Sequence, residues 1–226
     1  MQLQSVYVFL SALAVTTASP LQLRCGATPT KSVTYVLPST GGATSLPAPD
    51  TTLKHIVVGH GVQNYTCTAA GVAGTSIGAL AVLHDITSLY PGSGPYALSS
   101  ESWDNLTSQV LRTTSQPIDA SNPSSPSPSP SSATTFFDNT GTPTFSLHDD
   151  AELLKAAKVA GIPAPSTADK GLTGEGAVDW LYLGDKGGSI GLTKVYRVLT
   201  SGGSPAVCGA VGDTQSVAYT AMYWFY

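Results

Sequence analysis

Histidine, carboxylate, hydroxyl and aromatic side chains are the groups in this sequence whose types and spacing could do chemistry. Four histidines are present, His55, His60, His84 and His148. None stands in a His-x-His or His-Glu-x-x-His spacing, the patterns that bring two imidazoles onto one ion. His84-Asp85 sets an imidazole next to a carboxylate, but adjacent residues of a strand point to opposite faces and would not converge. His148-Asp149-Asp150 reads as a helix start, where carboxylates are stabilised by the helix dipole. The sequence therefore calls for no metal and no cofactor.

Nucleophilic catalysis needs a Ser or Cys held by a base beside an oxyanion site. There is no Gly-x-Ser-x-Gly elbow. Gly202-Gly203-Ser204-Pro205 comes nearest, and Pro205 lacks the amide that an oxyanion hole would use. A pair of carboxylates for glycoside cleavage would have to come from Asp85, Asp138, Glu175 and Asp179. Asp138, like Asp50, Asp104 and Asp213, lies in turn-like surroundings and reads as a turn cap. No catalytic residue is assigned. Arg197 shares a strand face with Val195 and Leu199, which makes it either a rim charge or a buried one with Asp179 as its expected carboxylate partner. The aromatic group Trp180, Tyr182, Tyr219, Tyr223, Trp224, Phe225 and Tyr226 reads chiefly as core and sheet packing. Alternation along residues 219–226 would leave one set free to stack on sugars. Trp180, Arg197, Tyr223 and Trp224 are thus the candidate ligand-binding residues.

The elements that must position these groups read mainly as strands. Residues 20–52 form an extended arm rich in Pro, Thr and Ser, with at most one short strand over 32–37. A long β-like run follows over 53–68, in which Gly59 and Gly61 suggest a bulge or bend. Residues 77–86 fit a buried strand or a short helix by periodicity, and their β-branched content favours the strand. Residues 115–135 are dominated by Ser and Pro, lack an apolar face and read as a surface insertion. Short strands over 135–138 and 144–147 flank a hairpin turn at Asn139-Thr140-Gly141. One helix is expected next, capped by Ser146, with Leu153, Leu154 and Ala157 as its apolar stripe and Gly161 and Pro163 as its stop. Strands over 177–183, 192–200 and 217–226 complete the chain. The total is all-β: an antiparallel β-sandwich or β-barrel of about eight or nine strands with one short helix.

The composition is of a kind common outside the cell. Only 11% of the 226 residues are charged, against roughly 25% in average soluble proteins. The net charge of −4 is mild and without a basic block, so nucleic-acid binding lacks its electrostatic footprint. Residues 6–15 form an uncharged apolar run followed by Thr16, Thr17, Ala18 and Ser19, the pattern of a signal peptide over 1–19. No later stretch reaches the roughly 18 apolar residues of a membrane span. Two sequons, at Asn64 and Asn105, fit glycosylation of a secreted chain. A single β-domain over 53–226 follows the arm.

Several blocks together resemble one family: Gly61-Val62-Gln63-Asn64-Tyr65-Thr66-Cys67, Phe136-Phe137-Asp138, Gly141-Thr142-Pro143-Thr144-Phe145, Val178-Asp179-Trp180-Leu181, Val195-Tyr196-Arg197-Val198, Gly202-Gly203-Ser204-Pro205-Ala206 and the terminal Tyr223-Trp224-Phe225-Tyr226. In order and spacing they are similar to the domain of unknown function 3455 family, found in secreted fungal proteins and some bacterial ones. The resemblance implies secretion and no established activity. Some members carry the label malate dehydrogenase, which this sequence does not support: Gly59-His60-Gly61 lacks the third glycine of a dinucleotide fingerprint and sits in a strand-like run. Two departures from the family pattern stand out. A cysteine usual near position 88 is replaced by Ser88, and a histidine usual before the Phe-Phe-Asp block appears as Thr134 or Thr135.

Three cysteines in a secreted chain leave one over. Cys67 lies in the strand-like run and Cys208 just before the last strand, while Cys25 sits in the arm and has lost the family's partner near Ser88. Cys67–Cys208 is the expected disulfide and Cys25–Cys67 the alternative. The functional expectation is a non-catalytic extracellular or cell-wall-associated binding or structural protein, whose partner would be cell-wall polysaccharide or another extracellular molecule. A secreted carbohydrate-active enzyme is the rival, and a small-ligand carrier is a third reading if the fold is a closed barrel with a lumen. Oligomeric state is left open. N-terminal sequencing of secreted material is expected to begin after Ala18 or Ser19; a first residue of Met1 would exclude the signal peptide.

Overall fold

A computed structural model describes residues 33–42, 44–113 and 133–226. The expected signal peptide over 1–19, Cys25, the first part of the arm and residues 115–132 of the Ser/Pro insertion lie outside the described residues. Eight antiparallel strands close into an up-and-down barrel: β1 (His55–Thr66), β2 (Thr75–Asp85), β3 (Ala133–Phe137), β4 (Pro143–Leu147), β5 (Glu152–Ile162), β6 (Trp180–Asp185), β7 (Lys194–Gly202) and β8 (Thr214–Phe225). Each strand pairs with its chain neighbour, and β8 closes the sheet by pairing with β1 over its whole length, from His55 opposite Phe225 to Thr66 opposite Thr214. The open choice between sandwich and barrel is thereby resolved. β3 starts at Ala133, so the last three residues assigned to the insertion belong to the sheet.

The expected helix after Ser146 is instead the β4–β5 hairpin. The Ser146 hydroxyl donates to the Asp150 carboxylate at 2.5 Å rather than capping a helix. His148, Asp149 and Asp150 turn the chain with φ of 52°, 56° and 66°, a left-handed run that costs about 1–2 kcal/mol per ordinary residue. His and Asp are among the types that tolerate this region best. Beyond the turn, Leu154 and Ala156 alternate into the barrel core. The same letters fit a helical stripe, and the pairing demands of closure decide for the strand.

Among its described residues the β2–β3 connection carries two α-helices where the sequence reading had none: α1 (Ser100–Asp104) and α2 (Leu106–Thr113). Ser99 caps α1 by accepting from the Ser102 amide at 3.1 Å. Trp103, Leu106, Thr107, Val110 and Leu111 fall at helical spacing, a signal present in the sequence. Trp103, Leu106 and Val110 join the apolar cover of the barrel's outer face, where Trp180, Tyr196, Val198, Met222 and Trp224 are buried. The indoles of Trp103 and Trp224 meet edge to face, 6.5 Å between centroids, with Tyr90 against both. Tyr35, Leu37 and Leu46 of the arm and Leu53 just before β1 join this cover, and residues 33–37 are not a strand.

Inside, Val57, Leu83, Phe145, Leu154, Val195, Tyr223 and Phe225 belong to one apolar cluster. Gly59 and Gly61 face this interior and do not form a bulge; the β1–β2 irregularity falls at Ile77, opposite the step from Asn64 to Tyr65. Their role is close approach. A Cβ at Gly61 would stand 1.9 Å from the Leu80 carbonyl oxygen, and one at Gly59 would meet the Tyr223 ring at 2.7 Å and Leu83 at 2.8 Å. The Cys67–Cys208 disulfide, as expected, ties the chain just after β1 to the β7–β8 loop across a sequence separation of 141. A loop of that length corresponds to about 5 kcal/mol of chain entropy removed from the unfolded state. Gly61→Ala is expected to lower stability by about 1–3 kcal/mol in urea denaturation, through forced displacement of β2 backbone. Gly94→Ala, whose Cβ meets nothing within 4 Å, should stay within about 0.5 kcal/mol of the parent.

Candidate ligand-binding site

Small or absent side chains on one side of the interior leave space that large ones on the other do not fill. The result is a cavity of about 580 Å³ inside one end of the barrel. Phe145 forms its floor, packed edge-on against Tyr223 and Phe225 with 5.4 Å between centroids in each case. Leu181, Leu183 and Ala79 add apolar wall, and Phe137, Lys158 and Asp179 stand at the mouth. The disulfide-tied loops lie at this same end, since Cys67 follows β1 and Gly203 and Ser204 follow β7.

Polar groups reach the lumen from β1, β7 and β8, and Ser76 of β2, Thr135 of β3 and Lys158 of β5 also line the cavity. Arg197 points in from β7, on the same face as Val195. Leu199 does not share that face: β7 carries an irregularity between Val198 and Ser201, and Leu199, with φ of 46°, packs on the outer cluster. The Arg197 guanidinium donates from Nε and Nη2 to the Asp179 main-chain carbonyl at 3.1 and 2.9 Å. The expected pairing with the Asp179 carboxylate is not made. Among the described residues no carboxylate stands within ion-pair distance of Arg197. A guanidinium on a carbonyl is held in place but not neutralised, so its charge stays available to the lumen.

Tyrosines and an amide surround this charge. Tyr65 donates to the Gly203 carbonyl at 2.7 Å, and the Tyr219 and Tyr223 hydroxyls lie 2.9 Å apart. Burial raises the pKa of all three phenols, and the Arg197 charge opposes that rise at each. Gln63 is buried at the cavity wall, 5% exposed. Its amide is felt at the Tyr219 phenol, yet its nitrogen has no acceptor in hydrogen-bond geometry. A buried amide without an acceptor is costly unless a ligand or water supplies one.

Of the four residues singled out from the sequence, Arg197 and Tyr223 line the cavity together. Trp180 and Trp224 do not: both are buried on the outer face, and every aromatic residue from Tyr219 to Tyr226 is buried, so this segment presents no open aromatic face. The alternation that would have exposed one set instead buries one set in the lumen and the other under the helices and arm. Gln63, Tyr65 and Tyr219 were missed; the inward period of β1 and β8 was legible, but which side was inside was not. Among the described residues Asp179 is the one carboxylate lining the cavity. Asp138 caps the β3–β4 turn through the Thr140 and Thr142 amides, both at 2.9 Å, and Asp85 lies at the other end of the barrel, against His55. Asn64 accepts from Ser216 at 2.7 Å, and Asn105 is exposed at the end of α1 with its amide on the Glu101 carbonyl.

An antiparallel eight-stranded barrel with an amphipathic lumen at one end defines the class of structure. The model of the family described as Protein of unknown function (DUF3455) matches residues 47–226, and the chain belongs to that family. No curated protein and no solved structure matches it. No helix of the described residues is long and apolar enough to cross a membrane.

The raised phenols fix the sign of the alkaline response. Their folded-state pKa values lie above the ordinary 10.0, so the unfolded chain loses these protons first. Their contribution is whole below that value and is lost as pH rises through the folded-state pKa values. Tyr196 and Tyr226 on the outer face, pushed up to about 12, act the same way. Urea midpoints are expected to fall from about pH 10 upward, with tyrosinate absorbance appearing together with unfolding. Full ionisation of all ten tyrosines near pH 10 in a folded chain would contradict this burial.

Proposed function

We propose that the barrel is an extracellular carrier of a small amphipathic molecule with an anionic head, bound in the lumen. The observation that supports this reading is the meeting of two groups in one cavity: the Arg197 guanidinium, held by a carbonyl but without a carboxylate partner among the described residues, and the Gln63 amide, which lies near the Tyr219 phenol and whose nitrogen finds no acceptor in full hydrogen-bond geometry. Both ask for a ligand that accepts hydrogen bonds and carries negative charge. Phe145, Leu181 and Leu183 ask for an apolar remainder. The volume falls within the roughly 300–1,000 Å³ of small-molecule sites. Arg197 and Lys158 against Asp179 leave the charged lining of the cavity with a net positive charge of one, which favours a singly charged anionic head. Paired-carboxylate hydrolysis has less support, because Asp179 has no second carboxylate beside it in the cavity wall among the described residues. The apolar leader and the low charge content support the extracellular part of this reading.

Displacement of a fluorescent medium-chain fatty acid tests the proposal. The parent protein should bind the carboxylate form and prefer it to the alcohol of equal chain length. Arg197→Gln should weaken carboxylate binding about 10- to 100-fold, as expected for a lost charge-assisted hydrogen bond, and leave alcohol binding nearly unchanged. Equal affinity of parent and variant for the carboxylate would overturn the assignment of Arg197, and no binding of either ligand would overturn the lumen as an amphiphile site.

A further inference from the structure

The barrel end opposite the cavity gathers a second set of groups. His55 begins β1, Asp85 ends β2, Glu152 begins β5, and His148 opens the left-handed β4–β5 turn. The His55 ring lies between two carboxylates, with Nδ1 3.2 Å from Asp85 Oδ2 and Nε2 2.7 Å from Glu152 Oε2. His148 Nδ1 lies 3.3 Å from the same Glu152 oxygen. One ligand atom from each of His55, His148 and Glu152 can be chosen so that all three lie within 4.8 Å of one another.

We propose that His55, His148 and Glu152 bind one divalent transition-metal ion of the zinc type, with Asp85 orienting His55. An ion bound at about 2.1 Å holds its ligand atoms roughly 3.0–3.4 Å apart, so two of the three separations already approach the bound geometry and a small rotation of the exposed His148 ring closes the third. Two imidazole nitrogens and one carboxylate oxygen suit zinc, cobalt or nickel better than calcium or magnesium. The Asp85 carboxylate on His55 Nδ1 fixes the tautomer that presents Nε2, the usual outer partner of a metal-bound histidine. Lys54 is the opposing cation: it donates to the Gly191 carbonyl and stands 3.8 Å from Glu152 Oε1. It engages the oxygen that the imidazoles do not face, which leaves Oε2 for the ion. Three successive non-glycine residues of positive φ at the turn place the His148 ring 5.0 Å from that of His55, in edge-on contact. This left-handed run is local strain of the kind found at ligand clamps.

The test uses the full secreted chain without a histidine tag, freed of metal by chelation and titrated with zinc in a calorimeter. One ion per chain is expected, with cobalt giving the visible bands of a nitrogen–oxygen site. Glu152→Gln and His148→Asn, the second chosen because Asn tolerates the left-handed turn, should each weaken zinc binding at least 10-fold. Asp85→Asn should weaken it about 10-fold, as for other outer partners. His84→Ala and Arg197→Gln should leave it unchanged, which separates this site from other surface histidines and from the lumen. Absence of stoichiometric zinc binding, binding retained in both Glu152→Gln and His148→Asn, or magnesium bound as tightly as zinc would each overturn the proposal.

Discussion

The pairing of β8 with β1 is the contact on which everything else in this protein depends. It runs the length of both strands and joins the chain's last element to the first of the barrel. Closure removes the sheet edges that would otherwise be open to other chains. It also divides every strand into a lumen face and an outer face, so that a one-residue slip would exchange the two. Around this seam the residues are chosen for near approach. Gly59 and Gly61 on β1 leave room for the Tyr223 ring and for the backbone of β2, where any side chain would force the strands apart. The disulfide reinforces the same seam by joining the chain after β1 to the loop that leads into β8.

Closure explains why the two faces carry different chemistry. The outer face of β1, β7 and β8 is apolar and aromatic, and it is buried by α1, α2 and the arm rather than exposed. The inner face is apolar at one end, where Phe145, Phe225 and Leu154 fill it, and polar towards the other. Arg197 sits at that transition. Its fork is held by the Asp179 carbonyl, whose dipole orients the guanidinium without cancelling its charge. Burial of Tyr65, Tyr219 and Tyr223 around it keeps the surroundings of low polarity, in which a charge acts over a longer range than in water.

The strand order was largely legible because most strands show apolar alternation between turn signals. Residues 53–68 and 217–226 map onto β1 and β8 within three residues at each end. β5 was not legible, since Leu153, Leu154 and Ala157 satisfy a helical stripe while Leu154 and Ala156 satisfy a strand. Local pattern supports both, and only the need for a partner between β4 and β6 selects one. α1 and α2 carry a helical period, but Ser and Asn residues typical of loops interrupt and flank it. At the lumen, Arg197 and Tyr223 were legible as an unusual charge and an aromatic on regular strands, but Gln63 reads as an ordinary polar residue of an alternating strand until the barrel closes around it.

By itself the sequence determined the all-β class and the family, because alternation and block order are local or linear properties; it favoured Cys67–Cys208 over Cys25–Cys67, and the structure shows that bridge. Tertiary structure alone decided that the sheet closes, which face became the lumen, and that Arg197 meets a carbonyl rather than a carboxylate. It also brought His55, His148 and Glu152 together from three separate stretches of chain. Those outcomes depend on strand register and barrel curvature, which arise from the pairing of segments far apart in sequence, and no single segment encodes them.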